Sequence, residues 1–292
     1  MTAQLIDGKM IAKKVREQVA AEVSARTVAG KPQPVLATVL VGDRPDSAAY
    51  VASKGKACQE LGMGSISEHL PADATQEQVE ALVKELNANP QISGILVQLP
   101  MPSHIDEERV LSLINIEKDV DGFSPINIGR LAQKGREPLF VPCTPYGCIY
   151  LLEQTGIKIE GANAVVLGRS NIVGMPVALL LISRNATVTV CHSRTRDLPA
   201  VVRQADILIA AIGKTEMVRG DWIKPGAAVI DVGINSIPDA TKKSGHRLVG
   251  DVNFNEAREV AGFITPVPGG VGPMTIAMLM KNTLRAAQIQ FP

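Results

Sequence analysis

The stretch Ala164-Val165-Val166-Leu167-Gly168-Arg169-Ser170-Asn171-Ile172-Val173-Gly174-Met175-Pro176 constrains this chain more than any other. Four apolar residues run into a glycine, a second glycine follows six positions later, and the apolar residues Val177 to Ile182 come next. That order reads as strand, tight loop and helix. Glycine lets a backbone approach a pyrophosphate closely, and the free N–H groups at a helix N-terminus favour an anion. The spacing is not the usual G-x-G-x-x-G fingerprint, so taken alone the stretch fits a phosphate cradle and an ordinary buried strand-turn-helix equally well. The rest of the chain decides between them.

The pattern around this stretch is an alternation of strands and helices. Ile11, Val15, Val19 and Val23 place one apolar stripe on a helix over Lys9 to Thr27. Val35 to Val41 is a nearly continuous apolar run, suited to a strand buried on both faces. A turn over residues 42–47 leads into a helix from about Ala48 to Leu61, and Ser65 to Leu70 alternates as a strand. Thr75 and Gln78 form a capping box before Val79, Leu82, Val83 and Leu86. Residues 94–99 form another buried strand, and residues 106–114 a helix.

From Asp119 to Pro145 the periodicity lapses and glycines and prolines accumulate, which marks a junction at 122–139. Tyr146 to Thr155 then reads as a helix, followed by a second alternation. Its strands fall at 164–167, 187–190, 206–211, 227–232, 248–252 and 262–264, with a helix over 174–183. Residues 265–275 form a stiff loop rich in proline and glycine, and a final apolar helix covers 276–288. The expectation is two α/β domains with parallel sheets: 1–121 joined by the C-terminal segment 276–292, and 140–275 as a Rossmann-like doubly wound domain, with an active-site cleft between them.

A chain of 292 residues accommodates two such cores. A net charge of +1 and 3% aromatic residues give no footprint for nucleic acid. Charged residues interrupt the N-terminal apolar positions, and every apolar run is far shorter than the roughly 18 residues of a membrane span. A cytoplasmic protein with no membrane partner is expected. Cys58, Cys143, Cys148 and Cys191 form no C-x-x-C pair, and His69, His104, His192 and His246 are scattered, which disfavours a metal site.

Several residues carry chemistry. Strand 187–190 ends in Cys191-His192-Ser193-Arg194-Thr195, without the carboxylate that would bind a ribose 2'-hydroxyl. Together with Arg169 in the glycine loop, Ser193 and Arg194 are donors suited to a 2'-phosphate, so NADP is favoured over NAD. Tyr50 and Lys54 stand four apart and share a helix face. A Tyr-x-x-x-Lys pair also occurs in short-chain dehydrogenases, but there the glycine loop precedes the tyrosine, the reverse of the order here. Gln98 lies near the carboxyl end of an apolar strand, where ligands gather in open α/β sheets. Asp119 and Asp121 follow in Lys118-Asp119-Val120-Asp121-Gly122, where either could cap a turn. There is no nucleophile elbow and no P-loop motif.

Taken with Val97 to Pro102, Pro142-Cys143-Thr144-Pro145 and Thr265 to Thr275, these motifs resemble the bifunctional methylenetetrahydrofolate dehydrogenase/cyclohydrolase family along essentially the whole chain. The resemblance implies NADP-dependent oxidation of 5,10-methylenetetrahydrofolate to the methenyl cation and its hydrolysis to 10-formyltetrahydrofolate. It places the chain in one-carbon metabolism and tetrahydrofolate interconversion, serving purine and amino-acid biosynthesis, as a homodimer acting on tetrahydrofolate derivatives with or without polyglutamate tails. By the same resemblance Lys54 transfers the proton, Gln98 positions and tunes it, Tyr50 shapes the folate pocket and Asp121 holds the pterin. Pro268, Gly272 and Pro273 line the folate site from the second domain. Gly168, Arg169, Ser170, Ser193, Arg194, Gly233, Ile234 and Thr275 surround NADP. The rivals are a two-domain dehydrogenase of the shikimate kind with a lysine acid/base, and a catalytically silent NADP- or folate-binding regulator.

Overall fold

The computed structural model describes residues 2–242 and 245–292. In chain order the elements begin with β1 (Gln4–Leu5), α1 (Gly8–Val28), β2 (Val35–Val41), α2 (Pro45–Glu60), β3 (Gly64–Leu70), α3 (Gln76–Ala88) and β4 (Gly94–Val97). Next come α4 (Glu107–Ser112), α5 (Pro125–Leu131), α6 (Cys143–Gln154), β5 (Asn163–Leu167), α7 (Gly174–Ser183), β6 (Thr187–Cys191), α8 (Leu198–Val202) and β7 (Ile207–Ala210). The chain finishes with β8 (Ala228–Asp231), β9 (Asn235–Pro238), β10 (His246–Val249), α9 (Phe254–Ala257), β11 (Phe263–Ile264) and α10 (Val271–Gln290). Among the described residues no helix is long and apolar enough to cross a membrane.

Two compact units result. The first comprises Lys13–Cys143 and Ile276–Pro292. Its sheet has three parallel strands in the order β3-β2-β4, with Leu36 opposite Ser65 on one side and Gly94 on the other. β2 is central and, past Val35, wholly buried, as its unbroken apolar run requires. Val39, Val41, Val79, Val83, Ile95 and Val97 form the core beneath it. The capping box at Thr75 and Gln78 is present in full.

The second unit comprises Met1–Ala12 and Thr144–Thr275. Its sheet is parallel throughout, in the order β1-β11-β8-β7-β5-β6. Numbered from β5, the first four strands run 2-1-3-4, a doubly wound order whose reversal falls at β5. The register sets Leu167 opposite both Cys191 and Ala210, and Ala210 opposite Asp231. The loops that follow Leu167, Cys191, Ala210 and Asp231 therefore emerge at one end of the sheet, the carboxyl ends of its strands.

The structure departs from the sequence expectation in several places. The first residues join the second unit, because β1 pairs with Phe263–Ile264 at the sheet edge, and residues 122–139 join the first unit. That supposed junction contains α5, started by Ser124 capping Ile126 with a proline in its first turn. The final helix begins at Val271 rather than at 276, since Pro273 falls in its first turn, where a missing N–H costs no intrahelical bond. Helix α2 likewise starts at Pro45 rather than at about Ala48, and Ser47 is buried within it. The strand expected at 248–252 is instead β10, paired antiparallel with β9 in a separate hairpin.

Candidate active site

In the first unit, α2 buries Ser47, Val51, Lys54, Ala57 and Cys58 along one face. Lys54 is only 7% exposed, an uncommon place for an ammonium. Its Nζ donates to Gln98 Oε1 at 2.8 Å. Gln98 follows directly after β4, held by its N–H to Val39 O at 2.8 Å. Its side-chain amide donates to Leu99 O at 2.7 Å, which points the amide oxygen at Lys54. Burial pushes the Lys54 ammonium below the usual lysine range, while the nearby Asp121 carboxylate opposes the shift. Tyr50, one helical turn before Lys54, is 40% exposed. Desolvation raises its phenol pKa first, and Asp46 adds to the rise.

Asp121 is half-buried, with its carboxyl group deep enough that desolvation raises its pKa against the pull of Lys54 and of a hydrogen bond from the Cys143 thiol. The loop carrying it is tied on both sides. Asp119 accepts from Ser124 N at 2.8 Å, Phe123 N at 3.2 Å and Asn127 Nδ2 at 2.9 Å. Burial raises this carboxyl to about 6. Asn127 then accepts from Leu139 N at 2.9 Å. Asn282, from the C-terminal segment, donates to Val120 O at 2.8 Å and to Val141 O at 3.0 Å. Lys118 Nζ donates to the carbonyls of Leu86, Asn87 and Asn89 and so closes the end of α3.

In the second unit, Gly168 has φ +110° and lies so close to Ala211 O that a Cβ would collide with it. A Cβ on Gly174 would meet the Gly168 carbonyl in the same way. Both glycines are thus required by close backbone approach. Ser170 Oγ accepts from Val173 N at 3.2 Å and Gly174 N at 3.3 Å, shaping the entry to α7. After β6 a turn is built on His192, with Arg194 N donating to His192 Nδ1 at 3.1 Å and His192 N to Thr195 Oγ1 at 2.9 Å. Ser193, Arg194 and Arg169 are left exposed at the carboxyl end of the sheet. Gly233 is buried and Ile234 is 47% exposed on the loop after β8. Gly272 lies near Ile234, and Thr275 shares a 2.9 Å hydroxyl hydrogen bond with Thr144. Pro268 is exposed and Pro273 half-buried.

The residues named from sequence thus fall into two sets, each inside one unit. Lys54, Gln98 and Asp121 are brought together, with Tyr50 a helical turn away. The residues of the glycine loop, the 192–195 turn and the loop after β8 share one end of the second sheet. Sequence reasoning missed Cys143 and Asn282 as supports of Asp121. Cys143 was signalled by its place between two prolines, whereas nothing local in α10 marks Asn282. Among the described residues no group of three or more His, Cys, Asp or Glu is placed to hold a metal ion.

Residues 6–121 match the family described as the tetrahydrofolate dehydrogenase/cyclohydrolase catalytic domain, and residues 142–291 its NAD(P)-binding domain. The chain belongs to this tetrahydrofolate dehydrogenase/cyclohydrolase family. It is 58% identical over 290 residues to bifunctional protein FolD 2 of Arabidopsis thaliana, covering 99% of this chain and 97% of that one. The structure of Trypanosoma brucei methylenetetrahydrofolate dehydrogenase-cyclohydrolase (FolD), complexed with NADP cofactor and inhibitor, superposes with a TM-score of 0.95 at 46% identity, covering 99% of this chain and 98% of that one. A Thermus thermophilus shikimate 5-dehydrogenase shares the fold alone, with a TM-score of 0.52 at 17% identity over 87% of this chain and 99% of that one. The catalytic-domain match of this dehydrogenase/cyclohydrolase contains Tyr50, Lys54, Gln98 and Asp121, and the NAD(P)-binding match contains the glycine loop. NADP is its cofactor, and the residues fit it. Close backbone packing at Gly168 and Gly174 makes the turn into α7 tight, and Arg169, Ser193 and Arg194 are exposed at the same sheet end, donors of the kind a phosphate takes.

Proposed function

We propose that Lys54, positioned by Gln98 and neighboured by Asp121, is the proton-transfer residue of this enzyme. The enzyme oxidises 5,10-methylenetetrahydrofolate to 5,10-methenyltetrahydrofolate with NADP and hydrolyses the product to 10-formyltetrahydrofolate. The first unit is the folate-binding catalytic part and the second the NADP-binding part. The observation that carries the reading is the buried Lys54 Nζ, 2.8 Å from an amide oxygen held in one orientation.

An ammonium beside a methenyl cation is disfavoured, and burial shifts the Lys54 pKa downward in the same direction, toward the neutral amine. A neutral amine takes a proton from the attacking water. Gln98 accepts one Lys54 N–H, which directs the amine's lone pair away from the amide. Asp121 accepts two hydrogen bonds from the ring N–H and amino group of the pterin, a paired geometry that selects that ring edge. Bound NADP supplies the acceptor for the hydride lost in the oxidation, a step that asks the protein for positioning rather than for an acid. Tyr50 shapes the folate pocket, and Pro268, Gly272 and Pro273 contact the folate. Gly168, Arg169, Ser170, Ser193, Arg194, Gly233, Ile234 and Thr275 contact NADP.

Polyglutamylated folates are included as substrates on the family resemblance, as are roles in purine and amino-acid biosynthesis. A cytoplasmic location is supported by four buried free cysteines, which suit a reducing compartment. A homodimer is supported by the outer face of α7, where Met175 and Ile182 are exposed beside the edge strand β6. NADP reduction measured with methylenetetrahydrofolate and, separately, with shikimate tests the activity. Turnover of the folate alone is expected, and turnover of shikimate alone contradicts the reading.

A further inference from the structure

Two buried carboxylates in the second unit take no part in the chemistry above. Asp251 is fully buried and its carboxylate accepts four hydrogen bonds. Oδ2 receives Ile212 N at 2.7 Å and Gly213 N at 2.9 Å, and Oδ1 receives Lys214 N at 2.9 Å and Asn235 Nδ2 at 3.0 Å. Three successive N–H groups converging with Gly213 at φ +64° form the kind of backbone concavity that elsewhere binds an anion. Here the anion is part of the chain. This nest is therefore closed to a ligand phosphate, and its occupant sets the shape of the loop.

Asp231, at the end of β8, repeats the arrangement. It accepts from Gly233 N at 3.0 Å, Asp251 N at 3.0 Å and Val252 N at 2.9 Å. A Cβ at Gly233 would strike the Asp251 carboxylate, and one at Gly250 would strike that of Asp231, so each aspartate dictates a glycine on the neighbouring loop. The β9-β10 hairpin, with Asn235 opposite Val249, returns the chain to bring Asp251 back beside Asn235. The loops so joined leave β7 and β8 at the same sheet end as the Gly168 loop, and the first of them supplies the Ala211 carbonyl on which Gly168 rests.

We propose that Asp251 is a positioning residue for NADP: it fills the 212–214 nest, ties that loop to the loop carrying Gly233 and Ile234, and so holds the cofactor-facing backbone in one arrangement. The inference rests on the placement of NADP at this end of the second sheet. Loss of the carboxylate charge leaves buried N–H groups poorly satisfied, and the loops relax toward other conformations.

The test is an NADP titration on folded wild-type, Asp251→Asn and Asn235→Ala proteins, with folding checked by circular dichroism. Asp251→Asn is expected to raise the NADP dissociation constant and the KM for NADP about tenfold, with kcat within roughly threefold of wild type. Asn235→Ala, which removes one donor and keeps the nest, gives a smaller change in the same direction and carries the test if Asp251→Asn does not fold. Hydrolysis of methenyltetrahydrofolate without NADP stays at the wild-type rate in both, a split that a merely structural role would not produce. NADP affinity within about twofold of wild type in the folded variants, or hydrolysis lost in step with it, overturns the proposal. Absence of hydrolysis in the wild-type protein would count against the functional reading instead, and the titration would still decide the role of Asp251.

Discussion

Lys54 is held where its own charge is disfavoured, and the sign of the pH dependence follows. Its pKa lies below the ordinary 10.5 when folded, so between the folded value and 10.5 the unfolded chain binds more protons. Its contribution to stability therefore grows as pH rises through that window. With Lys54 as the proposed base, hydrolysis is expected to rise with pH as well. Asp121 works against burial by favouring the ammonium. Replacing Asp121 with Asn is expected to move the ascending limb of the hydrolysis pH profile to lower pH. A limb that stays or moves upward contradicts the coupling. That Lys54, Gln98 and Asp121 belong together was expected only through the family resemblance of their motifs, since read singly Asp121 fits a turn cap and Lys54 a surface position. Cys143 and Asn282 were not, because their partner Val120 is 23 and 162 positions away and only tertiary packing joins them.

At the scale of elements, the glycine loop makes two separable contributions. Gly168 combines positive φ with direct approach to Ala211 O, so Gly168→Ala is expected to destabilise the protein by about 2 kcal/mol or more and to abolish NADP binding. Arg169 is exposed, so Arg169→Ala leaves stability within about 0.5 kcal/mol while weakening NADP more than NAD. Thermal unfolding and titration of both cofactors check the pair, and equal losses for NADP and NAD would remove Arg169 from the choice of cofactor. Strands β2, β4, β5, β7 and β8 were legible because burial on two faces leaves continuous apolar runs, and β3 and β6 because they alternate. The start of α10 was not, since its first turn is made of the glycine and proline that ordinarily mark a loop. Nor was the β9-β10 hairpin, five of whose eight strand residues are exposed and which pairs outside the main sheet.

For the whole molecule, two units each built on a parallel sheet were expected from the alternation. The membership of the N-terminal residues was not, because a two-residue strand such as β1 leaves no period to read. The exposed face of α7 leads to the expectation of about twice the 31.0 kDa chain mass by light scattering, and a monomer at all concentrations would contradict it. The central claim is that Lys54 of the first unit performs the hydrolysis while cofactor binding belongs to the second. Replacing the buried ammonium with Met fills similar volume without a charge, so the fold is expected to survive. The most direct test measures methenyltetrahydrofolate hydrolysis and NADP affinity together in Lys54→Met. NADP affinity like that of the wild type with no enzymatic hydrolysis is the predicted result. Hydrolysis at the wild-type rate would contradict the account.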